Sequence, residues 1–104
     1  MESNKEQTLV EIEAAFEESK AQRLRSRHIL EAARGRYHME LVARREAGEK
    51  WTIADIKAME ASSIDSIDYV KQAYLGFIEA DSSYRSAKVK WEAAKRDYWD
   101  NKGR

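Results

Sequence analysis

Between Val70 and Tyr98 every seventh residue is large and apolar: Val70, Phe77, Tyr84, Trp91 and Tyr98. Three positions beyond each of the first four stands an alanine, at Ala73, Ala80, Ala87 and Ala94. Two apolar positions per heptad is the a/d spacing of an α-helix whose narrow stripe faces another helix; a strand, alternating every second residue, cannot gather these residues on one face. Alanine at each d position removes bulk from one side of the seam, so a partner backbone can approach while the aromatics pack beside it. The pattern predicts the core helix of a close-packed antiparallel hairpin, with coiled-coil-like packing and Tyr84 and Trp91 in its core.

The rest of the chain supports an all-α fold. There are no prolines and only four glycines in 104 residues, little turn chemistry for anything but long helices. Charged residues make up 37%, enough to raise the question of disorder, but the aromatics recur periodically and argue for a packed core. The length suits a single domain over 1–104. With no cysteine, disulfides and thiolate metal sites are excluded. The opening residues, Met1 to Glu6, lack the basic start and apolar run of a signal peptide, and nowhere do ~18 apolar residues follow one another. A cytoplasmic protein with no membrane partner is the expectation.

A first helix is predicted over about 5–47. Ser3 and Glu6 have capping-box spacing, Arg44 and Arg45 suit the negative end of the helix dipole, and Gly48 is a natural left-handed terminator. Leu9, Ile12, Phe16, Leu30, Ala33, Tyr37 and Leu41 share one face, with Ser19, Arg23 and Ser26 filling a polar gap in its middle. Thr52 and Asp55 mark a new N-terminus and a short helix over about 53–61, with Trp51 placed to staple onto Ile56. Ser62 and Ser63 read as caps for a third helix over about 64–100; the alternative is one helix over 53–100 kinked at those serines. Two further apolar stripes stand out. One runs along the far side of the first helix (Val10, Ala14, Ala21, Leu24, His28, Ala32, Met39, Val42), the other along the start of the third (Ile64, Ile67, Lys71, Tyr74, Ile78). A lone hairpin cannot cover both, which makes a homodimer the expectation.

The net charge is zero, but residues 1–18 carry −5, 19–50 carry +5, 51–84 carry −4 and 85–104 carry +4. Folding back near Gly48 to Ser63 lays opposite blocks side by side, favouring the antiparallel hairpin, although each exposed pair adds only a few tenths of a kcal/mol. If Ala47 lies beside Ser63, residue i faces about 110 − i at equal helical rise. That register brings Lys20, Arg23, Arg25 and Arg27 towards Arg85, Lys88 and Lys90, a basic waist at the polar gap in the seam. These seven cations are the candidate partner-binding residues, for an acidic protein surface first and for nucleic acid second. The acidic blocks on either side would repel a long duplex.

No chemistry of catalysis is evident. His28 and His38 have no histidine four residues away and no glutamate three before them, so neither the zincin nor the di-iron helical pattern is present. No phosphate-binding loop or nucleophile elbow occurs. The expectation is a non-enzyme without cofactor or metal.

One resemblance bears on function. The run Tyr84-Arg85-Ser86-Ala87-Lys88-Val89-Lys90-Trp91-Glu92-Ala93-Ala94, preceded by Trp51-Thr52-Ile53-Ala54-Asp55-Ile56-Lys57-Ala58, resembles the C-terminal half of small helical coiled-coil proteins encoded by phages and prophages, often among replication and recombination genes. It covers about half the chain. The resemblance implies a non-catalytic accessory or host-interaction protein and transfers no specific functional residue. A hairpin of this length is also similar to the small secreted WXG-type proteins, but their Trp-x-Gly turn is absent; Gly48-Glu49-Lys50-Trp51 has the reverse order and one residue more.

Overall fold

The computed structural model describes residues 8–102. Among them are three α-helices and no strand: α1 (Leu9–Glu46), α2 (Ile53–Ser66) and α3 (Asp68–Lys102). Two long helices with a short one between them is the expected all-α fold. The chain divides into two compact units, and the division falls inside α1 and α3. Unit 1 holds α1 up to Leu24 and α3 from Glu79 onward; unit 2 is Arg25–Ile78.

Each helix end has a local cause. At the start of α1 the Glu11 N–H donates to Thr8 Oγ1 at 3.1 Å, an N-cap bond that satisfies one of the orphan donors. The Ser3/Glu6 capping box lies outside the described residues. The end of α1 is a Schellman motif, with Glu49 N–H on the Arg44 carbonyl at 3.2 Å and Gly48 N–H on Arg45 at 3.1 Å. Gly48 takes φ +121 there, a left-handed conformation that a side chain resists. Helix α2 opens with the full capping box: Asp55 N–H donates to Thr52 Oγ1 at 3.1 Å and Thr52 N–H to Asp55 Oδ2 at 2.8 Å.

The serines behave differently from expectation. Ser62, Ser63 and Ser66 do not cap α3; they lie inside α2 and donate back to the carbonyls of Met59, Glu60 and Ser62. Helix α2 therefore runs to Ser66, five residues past its expected end. The break is one residue, Ile67, with extended φ −111 and ψ 113. Its N–H closes α2 on the Ser63 carbonyl at 2.9 Å and its own carbonyl accepts the first α3 bond from Lys71 at 2.8 Å.

In unit 1 the α1 and α3 segments are antiparallel. Phe16 stacks on Tyr84 and on Trp91, with ring centroids 5.7 and 6.3 Å apart, while Arg23, two turns further along α1, reaches back to Asp81. Ile12 and Ala80 are buried, with Phe16, Tyr84, Ala87, Trp91 and Ala94 half-buried around them. Tyr98, the last heptad position, is exposed. In unit 2 the core is Leu30, Leu41, Ile56, Ser63 and Val70, of which Leu41, Ser63 and Val70 are fully enclosed. The Arg36 guanidinium lies 4.1 Å over the Tyr69 ring, and His38 Nδ1 on α1 pairs with Glu60 Oε1 on α2. Facing residue numbers total 104 for Arg23 with Asp81 and 105 for Arg36 with Tyr69, not 110. The difference follows from α2: it extends to Ser66 and occupies the last turns of α1, so α3 begins opposite Arg36.

Candidate functional site

The seven cations fall in both units: Lys20, Arg23, Arg85, Lys88 and Lys90 in unit 1, Arg25 and Arg27 in unit 2. Within unit 1 the register places a carboxylate between the arginines. Asp81, 15% exposed, accepts from Arg23 Nε at 2.7 Å and from Arg85 Nε at 2.9 Å. The Arg23 guanidinium holds the Asp81 carboxyl below the usual carboxylate range, with Arg85 adding to the effect and burial opposing it. Arg23 also lies over the Tyr84 ring at 4.9 Å. Lys20 pairs with Glu17 at 3.3 Å, and Arg27 in unit 2 pairs with Glu31 at 3.2 Å. Arg25 is exposed. Lys88 and Lys90 are exposed and make no ion pair among the described residues. Three of the five cations of unit 1 are thus ion-paired where the 110 register set like charges together.

A different feature dominates unit 2. An open groove of about 700 Å³ runs between α1 and α3, lined by Ser26, Ile29, Ala32, Ala33 and Arg36 on one side and Tyr69, Gln72, Ala73 and Gly76 on the other. It exists because small residues gather there, Ala33 and Ala73 on the seam with Ala32 and Gly76 beside it. Ala32 and Ala33 oppose Ala73 and Gly76, and a Cβ added to Gly76 would meet nothing within 4 Å. Ile29 stands at its lip, 61% exposed. One end is closed by the Arg36 to Tyr69 stack, with the Arg36 charge offset by Glu40 at 3.1 Å. The Tyr69 hydroxyl is shut off from solvent without a well-formed hydrogen bond; burial pushes its pKa up and the neighbouring Glu40 carboxylate adds to the rise. A smaller polar cleft of about 250 Å³ lies between α1 and α2, lined by Arg34, Lys57, Glu60, Ala61 and Ser63.

Heptad reasoning missed this groove because it weighs the residues that fill a seam, whereas the groove is made where small residues on the seam and beside it leave space. The available signal was Gly76, a glycine in the interior of a helix and flanked by alanine on the same face. For metals, no group of three or more histidine, aspartate or glutamate side chains comes together among the described residues. No helix among them is long and apolar enough to cross a membrane.

The sequence matches no protein-family model, and comparison with curated proteins and with solved structures gives no significant match.

Proposed function

We propose that this chain is a non-catalytic protein-binding module that takes the apolar face of a partner helix into the groove of unit 2. The observation that carries the reading is the groove itself, an apolar trough floored by Ala32, Ala33, Ala73 and Gly76. From Ser26 to Arg36 it follows α1 for about 15 Å at 1.5 Å per residue, or three turns. That length suits an amphipathic helix anchored by apolar side chains at i, i+3 or i+4, and i+7.

The seven basic residues take a secondary place. With Lys20, Arg23, Arg27 and Arg85 already paired, an acidic partner surface has to break existing ion pairs or rely on Lys88 and Lys90. The nucleic-acid reading needs free aromatic faces for stacking, and Tyr84 and Trp91 are both stacked on Phe16. Protein binding is therefore the favoured reading.

The test is a fluorescence titration with a designed amphipathic peptide carrying leucine at i, i+3, i+4 and i+7, beside labelled single-stranded DNA at low salt. Expected is saturable peptide binding that Gly76→Leu weakens by about tenfold or more and that Lys88→Glu with Lys90→Glu leaves in place. Peptide binding indifferent to Gly76→Leu, or DNA binding abolished by the lysine reversals, would overturn the reading.

A further inference from the structure

We infer that the polar cleft between α1 and α2 is a binding site for a phosphoryl dianion, either free phosphate or the head of a small phosphate monoester. The cleft shares no lining residue with the groove, so the two sites stand or fall separately. Its volume of about 250 Å³ is below the ~300–1,000 Å³ of drug-sized ligand pockets and leaves room for a group of phosphate size. Arg34 lines it from α1, and Lys57, Glu60, Ala61 and Ser63 line it from α2. All five residues belong to unit 2.

The pairing of neighbouring charges leaves Arg34 and Lys57 over. Along α1, Lys20, Arg27 and Arg36 each take a glutamate three or four residues away. Arg34 has Glu31 at that spacing, but Glu31 is held by Arg27, and the position four residues on is His38. Lys57 has Glu60 three residues on, but Glu60 turns across to His38 of α1. Neither Arg34 nor Lys57 makes an ion pair among the described residues. Two cations from different helices therefore line one recess with their local carboxylates engaged elsewhere, and a dianion placed there meets both charges at once.

The donor set selects the ligand. Arginine offers a planar fork that bonds two oxygens of a phosphoryl group, and lysine a point charge for a third. Ser63 offers no donor, because its hydroxyl is spent on the Glu60 carbonyl at 2.6 Å; being fully enclosed, it fixes the wall. A divalent metal is disfavoured, since the cations outnumber the one carboxylate. A long polyanion is repelled by the net −4 of residues 51–84. Glu60 opposes any anion, which gives the site one residue whose neutralisation should strengthen binding.

Arg34 and Lys57 are both exposed, so substituting them leaves the core intact and helical circular dichroism should not change. The experiment follows the backbone amide NMR shifts of the full chain at pH about 8, where the phosphoryl group is a dianion. Inorganic phosphate, methyl phosphate and acetate are titrated in turn at constant ionic strength. Expected are saturable shifts centred on Arg34, Lys57 and Ala61 with the phosphates and much weaker binding of acetate. Arg34→Met or Lys57→Met should weaken phosphate binding about tenfold, and Glu60→Gln should tighten it. Lys88→Met with Lys90→Met removes two exposed cations from α3 and should leave binding unchanged. Methyl phosphate bound more tightly than phosphate assigns the monoester as ligand, and equal binding assigns the free ion. Shifts that never saturate, acetate bound as tightly as phosphate, or an equal loss from the cleft variants and the α3 variant would overturn the site.

Discussion

Phe16 is the residue through which unit 1 is most open to a quantitative test. It is half-buried and its ring stacks on two residues a heptad apart, Tyr84 and Trp91, with interplanar angles of 28° and 20°. Full burial of a phenylalanine side chain is worth ~1.5–3 kcal/mol, so half burial contributes about 1–1.5. Each aromatic pair adds ~0.5–1 kcal/mol beyond area. Phe16→Ala should therefore cost about 2–3 kcal/mol, which in a chain of this size lowers the melting temperature by roughly 10–20 °C. Thermal unfolding followed by circular dichroism reads the shift. A double-mutant cycle with Trp91→Leu isolates the ring contact, with an expected coupling of about 0.5–1 kcal/mol. A shift of only a degree or two, or a cycle that closes to zero, would show that Phe16 does not join the two segments as described.

Further outcomes follow from other residues. Asp81→Asn should destabilise the fold, and the loss should shrink in high salt. Because the folded pKa of Asp81 is depressed, the wild-type advantage should be full above the ordinary carboxylate pKa and vanish as the pH falls through the lower folded value, which urea titrations of both proteins at several acidic pH values would reveal; a constant difference down to the acid limit would contradict the bridge. Ser63→Leu should destabilise by ~1–3 kcal/mol through overpacking, since Ser63 is fully enclosed and donates its hydroxyl to the Glu60 carbonyl at 2.6 Å, whereas an unchanged denaturation midpoint would mean the site has room. Gly48→Ala should cost about 1 kcal/mol by forcing a side chain into the left-handed region, read by the same midpoint shift, and a stabilised variant would refute the Schellman turn.

The seam was legible because it depends only on spacing. On α1 the positions Leu9, Ile12, Phe16, Ser19, Arg23, Ser26, Leu30, Ala33, Tyr37 and Leu41 are all buried or half-buried, as are Val70, Ala73, Phe77, Ala80, Tyr84, Ala87, Trp91 and Ala94 on α3. Trp91, half-buried, has less to lose on truncation than a core tryptophan. Register was not legible, because it turned on where α2 ends. Serine reads as a cap when its neighbours are ignored, yet in α2 its hydroxyl is satisfied by a carbonyl one turn back, and the choice between the two is made by the enclosure of Ser63. That shift of about five residues decided the electrostatics. It put Asp81 opposite Arg23, where its four-residue spacing from Arg85 lets one carboxylate serve both guanidinium groups. The groove escaped for the related reason that its depth depends on which small residues meet across two helices.

The single extended residue at Ile67 has a consequence for how such a chain can vary in length. Helix α2 ends and α3 begins with no slack between them, so an inserted or deleted residue at this point turns α3 by about 100° about its axis. Val70 would leave the core and a polar flank would take its place. The turn from Ala47 to Trp51 is held to α1 through Arg44, which pairs with Glu49 and lies over the Trp51 ring, but α2 restarts from its own capping box, so a change of length there does not pass directly from one helix into the next. Insertions should accumulate there, while the two residues on either side of Ile67 keep a fixed count.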